Sequence, residues 1–169
     1  MRIRPETDDS DRAEIWKVNE EAFGRAVEAD LVDAIRASDR FVPELSLVAT
    51  VEDDVVGHVL LSYVEIEPGA HRVLQLGPLA VLPSYQRRGI GSALMNEAVR
   101  VTDARGEPLI LLEGNPRFYG RFGFRRSDES GIEAPTGVDQ QYFMVRPLTA
   151  YDPELRGRAV YSEAFLNAG

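Results

Sequence analysis

The spacing of apolar and polar residues over the first forty positions predicts a strand followed by two helices. Arg2 to Glu6 is expected to form a short strand, and Asp8 to Ser10 supplies N-capping side chains for the first helix. The second helix begins near Val27. Apolar residues recur at helical spacing on one face of each helix, at Ile15, Val18 and Ala22 in the first and at Leu31, Ala34 and Ile35 in the second. Phe41 to Pro43 is expected to end this helical region.

The next forty positions predict three consecutive strands. Apolar and β-branched residues dominate the segments 45–51, 55–66 and 73–81, and polar turns separate them. Gly57 inside the second of these strands indicates a bulge. We therefore expect two successive hairpins.

The second half of the chain alternates helices and strands. Apolar residues at helical spacing predict a helix over 90–104, and the continuous apolar run 109–112 predicts a buried strand. Pro116 favours a short helix over 116–122, because proline is tolerated in a first helical turn. A strand beginning at Phe124 and a last strand over 142–148 complete the predicted core.

This order of elements predicts an α/β fold with a mixed sheet and helices on both faces. The strand–helix–strand unit over 73–112 is expected to be a right-handed parallel crossover. We expect one domain over 1–169, with a core at 2–148 and an extension at 149–169 packed on it. The irregular segment from Ser127 to Gln140 is typical of a site lid or a mobile loop.

Composition narrows the classes of function. The chain has 169 residues and a net charge of −9, which weighs against nucleic-acid binding because that requires a basic surface. It has no cysteine, which excludes disulfides and thiolate chemistry. Neither His58 nor His71 lies in a metal-ligand spacing, so no metal is expected. No membrane-spanning apolar run and no signal-like N-terminus occur, so we expect a cytoplasmic protein.

The clearest chemical signal is the glycine loop Gln86-Arg87-Arg88-Gly89-Ile90-Gly91-Ser92, which joins a predicted strand to a predicted helix. Unpaired N–H groups and the positive end of the helix dipole suit such a loop to a phosphate or pyrophosphate. The two glycines let the backbone approach closely, and the two arginines can add charge-assisted hydrogen bonds. A structural turn with two solvated arginines is the alternative.

Two common phosphate-binding patterns do not fit this loop. The dinucleotide fingerprint requires a third glycine or an alanine where this chain has Leu94. The Walker loop requires Gly-Lys-Ser/Thr at the helix start, and no lysine lies near.

The loop has the pattern Gln-x-x-Gly-x-Gly, follows Leu79-Ala80-Val81, and resembles the GCN5-related N-acetyltransferase (GNAT) family. The resemblance continues at Asn115 and at Phe118 to Phe124, and covers most of 2–148. The tail over 158–165 is similar to that of a bacterial branch of predicted acetyltransferases. The resemblance implies a mostly antiparallel sheet with strands splayed at the cofactor site, and acetyl-CoA as cosubstrate. It also implies these cofactor-binding residues: Leu79, Ala80, Val81, Gln86, Arg87, Arg88, Gly89, Ile90, Gly91, Ser92, Asn115 and Tyr119. For Asn115, a helix N-cap is the alternative role.

Gly77-Pro78 interrupts the strand before the loop. Proline cannot donate to a sheet ladder, so it indicates a bulge or a place where a neighbouring strand has parted. A parted strand would leave backbone groups of Leu79 and Val81 free for the amides of the pantetheine arm. The resemblance implies that the thioester lies in this gap. An ordinary edge bulge is the alternative.

Acyl transfer to an amine requires a base, a donor to the oxyanion and an acid for the leaving thiolate. Tyr119 is expected to be the acid, and the N–H of Leu79 the oxyanion donor. Many members of the family have a glutamate on the strand before the loop, and this chain has none there. Glu113 is therefore assigned as the base, with Glu65 and His71 as alternates. Each of these side chains has a structural role as its alternative.

These observations predict an N-acetyltransferase that moves the acetyl group of acetyl-CoA to a primary amine by direct attack in a ternary complex. The expected acceptor is a small molecule or a protein terminus, and a homodimer is consistent with the resemblance. A non-catalytic acyl-CoA-binding sensor or interaction domain is the alternative.

Overall fold

Nine strands and five helices form over residues 1–168, which are the residues that the computed structural model describes. The strands are β1 (Arg2–Pro5), β2 (Phe41–Val51), β3 (Asp54–Glu67), β4 (His71–Val81), β5 (Leu109–Glu113), β6 (Arg125–Arg126), β7 (Ile132–Glu133), β8 (Phe143–Pro147) and β9 (Gly157–Val160). The helices are α1 (Asp9–Phe23), α2 (Val27–Arg36), α3 (Ile90–Ala104), α4 (Pro116–Tyr119) and α5 (Glu163–Leu166).

The sheet is mixed and mostly antiparallel, as predicted. Its main path runs β1-β2-β3-β4-β5-β8-β6, and every neighbouring pair on this path is antiparallel except β4 and β5. α3 connects those two parallel strands, which confirms the parallel crossover over 73–112. The tail adds β9, which pairs with the end of β3 and with β7.

Helices cover both faces of the sheet because successive strand residues point in opposite directions. Val48 and Leu60 pack in the cluster formed with α1 and α2. Their chain neighbours Leu47 and Leu61 pack in the cluster formed with α3. The hairpin strands therefore contribute to two separate apolar layers, one on each side.

Local capping defines the first helix. The Asp8 side chain accepts a hydrogen bond from the N–H of Asp11, and Gly24 ends the helix in the left-handed conformation with φ 68°. The Asp11 carboxylate is almost fully buried and accepts two hydrogen bonds from Arg4, at 2.7 and 2.9 Å, and two from Thr7. The hydrogen bonds from Arg4, together with those from Thr7, lower the pKa of Asp11 to about 2. This pair joins α1 to β1.

A buried histidine joins α1 to the sheet. His58 of β3 is fully buried, its Nδ1 lies 3.2 Å from Asn19 Nδ2, and its Nε2 lies 3.0 Å from Ser46 Oγ. Asn19 Nδ2 also donates to the carbonyl of Ile15, so Nδ1 accepts and the ring proton resides on Nε2. Burial lowers the pKa of His58 to about 3, and the Arg36 charge contributes. Although serine, histidine and asparagine are aligned here, all three are fully buried and no substrate reaches the hydroxyl.

Two expectations about local structure are wrong. Phe41 to Pro43 begins β2 rather than ending the helical region, since Phe41 pairs with Ser62 and Val42 is buried. The register shift between Phe41 and Ser46 accommodates Pro43, which has no N–H to donate.

The segment from Ser127 to Gln140 is not a lid. Ser127–Ser130 forms a 3₁₀ turn, and β7 pairs with β9 of the tail. The Gln140 side chain accepts from the N–H of Ala134 and donates to Ser127 Oγ. These long-range pairings have no periodic signal in the sequence, which is why the segment was expected to be irregular.

Candidate active site

The glycine loop turns sharply between β4 and α3. A 3₁₀ turn at Pro83–Tyr85 leads to extended Gln86, then to left-handed Arg87 with φ 63° and Gly89 with φ 82°, before α3 begins. The Gln86 side chain donates to the carbonyl of Val81 at 3.0 Å and ties the loop to the end of β4. Alternation of left-handed and right-handed residues directs successive N–H groups into one concavity, which favours an anion.

Gly57 lets the first turn of α3 lie directly on the sheet. A Cβ at Gly57 would come within 3.0 Å of Leu94 and 3.1 Å of Ile90, so any larger residue would displace the helix. Ile90 and Leu94 are buried at this contact. Leu94, which distinguishes the loop from a dinucleotide fingerprint, is thus a core residue of α3. The predicted bulge lies beside Gly57, where the register with β2 shifts.

A cavity of about 570 Å³, here called the loop cavity, opens at the start of α3. Its lining includes eight residues predicted to bind the cofactor: Leu79, Val81, Gln86, Arg87, Gly89, Ile90, Gly91 and Ser92. Tyr85, Phe118 and Arg121 also line it and were not predicted. The Arg121 guanidinium lies 4.8 Å from the centre of the Phe118 ring, so two arginines, Arg87 and Arg121, border this cavity.

Four predicted cofactor residues lie outside the loop cavity. The side chain of Ala80 is buried on the opposite face of β4, in the layer beneath α1 and α2. Arg88 stacks over the Tyr85 ring at 5.2 Å. Asn115 caps α4, because its side chain accepts from the N–H of Arg117 at 2.9 Å. The expectation of side-chain contacts from Ala80, Arg88 and Asn115 in this cavity is therefore corrected, and Tyr119 lies in the second cavity.

β4 and β5 part beside the loop. They pair only at Leu74–Ile110 and Gln75–Leu111, and the Gly77-Pro78 bulge follows on β4, opposite β3. The N–H of Leu82 donates to Val56 on the β3 side. Because backbone groups alternate along a strand, those of Leu79 and Val81 point away from β3, into the gap. The Val81 carbonyl accepts from Gln86, so the free groups are the N–H of Val81 and both groups of Leu79.

A second cavity of about 340 Å³, here called the wedge cavity, lies where the two strands diverge. It is lined by Phe23, Glu28, Leu31, Gln75, Leu76, Gly77, Pro78, Leu79, Glu113, Tyr119, Tyr161 and Phe165. Leu79 borders both cavities. A molecule that lies along β4 from the loop cavity therefore reaches the wedge cavity at this residue.

Tyr119 is held in the wedge cavity by the short helix predicted at Pro116. Its ring packs edge-on against Phe118, with the ring centres 4.9 Å apart. It also lies directly over Gly114, where a methyl group would overlap the ring. Burial raises the pKa of the Tyr119 phenol, which therefore stays protonated at neutral pH.

Glu113 ends β5 at the rim of the wedge cavity. Its Oε2 accepts a hydrogen bond from the phenol of Tyr161 at 2.7 Å. Burial and then this hydrogen bond raise the pKa of Tyr161, while the Gln75 side chain lowers it. Glu65 and His71, the alternate bases, do not line this cavity, and Glu65 pairs with Arg40.

Gln75 and Tyr161 are two wedge-cavity residues that sequence reasoning missed. Gln75 is a polar residue inside the apolar run 73–76 and is 2% exposed, so its signal was a polar interruption of a buried strand. Tyr161 comes from the tail and stacks on Phe165, with the ring centres 5.2 Å apart. Only the pairing of β9 with β3 brings it to Glu113.

Within residues 1–168, no helix is long and apolar enough to cross a lipid bilayer. Over the same residues, no group of three or more His, Cys, Asp or Glu side chains is arranged to hold a metal ion.

Comparisons with known proteins agree with this geometry. The model of the Acetyltransferase (GNAT) family matches residues 12–124. The uncharacterized N-acetyltransferase YjhQ of Escherichia coli (strain K12) is 32% identical over 157 residues, covering 89% of this chain and 87% of YjhQ. The crystal structure of Escherichia coli YhbS in complex with CoA has a TM-score of 0.89 at 27% identity, covering 99% of this chain and 93% of that one. A Brucella melitensis acetyltransferase in complex with acetyl-CoA has a TM-score of 0.79 at 32% identity, covering 97% of each chain.

Proposed function

The chain belongs to the GNAT family of acetyltransferases and is an acetyl-CoA-dependent acyltransferase, and from this premise we propose that it acetylates a primary amine by direct attack in a ternary complex. The observation that carries the proposal is that the loop cavity and the wedge cavity meet at Leu79. The former suits the cosubstrate, and the latter suits the acceptor.

The loop cavity supplies what a diphosphate requires. Backbone N–H groups converge between Arg87 and Ser92, and Arg87 and Arg121 supply positive charge. The pantetheine arm then lies along β4, where the free backbone groups of Leu79 and Val81 can pair with its amides as an added strand would. CoA and acetyl-CoA are bound by the YhbS and Brucella proteins respectively, which supports this assignment.

The reaction is assigned to groups around the wedge cavity. The ammonium loses a proton to Glu113, directly or through one water, and the neutral nitrogen attacks the thioester carbon. The N–H of Leu79 stabilises the oxyanion. As the C–N bond forms, the C–S bond breaks, the sulfur receives the proton of Tyr119, and the tyrosinate is reprotonated from solvent.

The raised pKa of Tyr119 refines its role. A thiol has a pKa of about 8.5, below that of a buried phenol, so full proton transfer in the ground state is unfavourable. Tyr119 therefore acts first as a hydrogen-bond donor to the negative charge that develops on sulfur. Its contribution is confined to the transition state, which predicts an effect on kcat rather than on acetyl-CoA affinity.

The cosubstrate site is tested by calorimetric titration of acetyl-CoA into Gly89→Val. Both Gly89 and Gly137 have positive φ, 82° and 87°, with open space around the Cβ position. Gly137→Val therefore reproduces the backbone strain away from the loop cavity. Affinity should be lost in the first variant and retained in the second, and equal affinity in both would remove the diphosphate from the loop.

The catalytic assignment is tested by thiol release from acetyl-CoA with a panel of primary amines. Tyr119→Phe should slow turnover about 10²-fold, the scale of acid–base catalysis, at unchanged acetyl-CoA affinity. Tyr142→Phe, at an exposed tyrosine, is the matched control. Acetyl-CoA binding without turnover of any amine would instead indicate a non-catalytic sensor.

A further inference from the structure

The wedge cavity contains a buried polar atom without a partner. Gln75 is 2% exposed, and among residues 1–168 no group donates a hydrogen bond to its Oε1. Buried polar groups are normally paired, and an orphaned acceptor in a cavity wall is a place for a ligand donor. Gln75 is also the last residue of β4 that pairs with β5, so it lies at the vertex of the diverging strands.

The charge of the cavity specifies the donor. Two carboxylates, Glu28 and Glu113, line the cavity, and its lining within the described residues includes no lysine or arginine. Glu28 is paired with Arg25, whose side chain is 62% exposed, whereas the recorded partner of Glu113 is the neutral phenol of Tyr161. A cation is therefore favoured over a neutral donor, and an anion is disfavoured.

The remaining wall specifies the body of the ligand. Leu31, Leu76, Pro78 and Leu79 are aliphatic, and Phe23, Tyr119, Tyr161 and Phe165 are aromatic. Tyr161 and Phe165 are stacked at an interplanar angle of 24° and present a flat platform. The volume of about 340 Å³ is near the lower end for small-ligand pockets, roughly 300–1,000 Å³.

We propose that the acceptor is a small primary amine with a compact aromatic body and no carboxylate, its ammonium held between Gln75 Oε1 and Glu113. This inference rests on the proposed function, because it names the substrate class of the same site. Glu113 binds the ammonium before accepting its proton, and the ring packs against Tyr161 and Phe165. The tail thus contributes directly to acceptor specificity.

Matched probe amines test this class in the thiol-release assay. 2-Phenylethylamine should have a kcat/KM at least 10-fold above L-phenylalanine, which has the same ring and amine but adds a carboxylate. It should exceed spermidine, a cation without a ring, and a peptide with a free N-terminus by a similar factor. Equal or better use of any of these three would overturn the proposal.

Binding of 2-phenylethylamine to the CoA-saturated protein tests Gln75 independently of turnover. Gln75→Leu should weaken this affinity about 10-fold and leave the acetyl-CoA affinity unchanged. Gln141→Leu, at an exposed glutamine, should change neither. Unchanged amine affinity in Gln75→Leu would overturn the role of Oε1.

The two levels of proposal fail differently. Tight binding of 2-phenylethylamine to the CoA complex, with no thiol release for any amine, would refute the transferase mechanism and support the acceptor class. Thiol release with spermidine or a peptide, with 2-phenylethylamine neither bound nor acetylated, would refute the acceptor class alone.

Discussion

His58 should make the fold sensitive to acid. The ring is fully buried and its pKa is lowered from 6.5 to about 3, mainly by burial. The unfolded chain therefore takes up a proton below pH 6.5, while the folded chain does not until about pH 3. The unfolded state binds more protons in this window, so the free energy of unfolding falls as the pH decreases.

The size of the effect follows from the two pKa values. A shift of one unit corresponds to about 1.4 kcal/mol. At pH 7 the protonation of unfolded His58 is slight, and at pH 5 it costs about 2 kcal/mol relative to the fully neutral residue. Since small domains are stable by about 5–15 kcal/mol, this loss is large enough to measure.

Urea denaturation at several pH values measures it, with His58→Gln and His71→Gln compared with the original chain. These are the two histidines of the sequence, and His71 is exposed, so the second variant is a matched control. Between pH 7 and pH 5, the original chain and His71→Gln should lose about 2 kcal/mol more stability than His58→Gln. Parallel profiles for all three would refute the reasoning. A proton NMR titration that detects protonation of His58 near pH 6 in the folded protein would refute it as well.

Two further substitutions test positioning and stability. Gly114→Ala should displace the Tyr119 ring and reduce turnover at least 10-fold with little effect on acetyl-CoA affinity, whereas Gly120→Ala, which meets open space, should be neutral in the same thiol-release assay. Retained turnover in Gly114→Ala would dissociate the ring position from catalysis. Asp11→Asn should cost about 2 kcal/mol at pH 7 in urea denaturation, from the lowered pKa of Asp11. The difference should shrink as the pH falls from 3.8 toward 2, and Asp9→Asn, at an exposed carboxylate, should have little effect.

Elements with local signals could be predicted closely. The glycine loop, the helix that begins at Ile90 and the short helix at Pro116 all depend on residues within one or two turns of each other. Their signals are capping, proline placement and apolar spacing, which act over the same short range. The bulge at Gly77-Pro78 was predictable for the same reason, since proline cannot donate to a ladder.

Elements without a local signal could not be predicted. β7 and β9 are short, and each exists because the other completes its hydrogen bonds. Phe41 extends β2 because Ser62 is available opposite it, although the helical region precedes it directly. In both cases the partner strand, rather than the propensity of the segment, stabilises the extended conformation.

The amino-acid sequence by itself determined the order of the elements, the phosphate-type loop and the type of chemistry, because glycine, proline and apolar periodicity act between near neighbours. Only the tertiary structure decided which side chains meet at the acceptor. Tyr161 and Glu113 are 48 residues apart along the chain, and their hydrogen bond depends on β9 pairing with β3. Gln75 becomes a ligand-facing group only because β4 and β5 separate immediately beyond it, which leaves a buried oxygen without a backbone or side-chain partner.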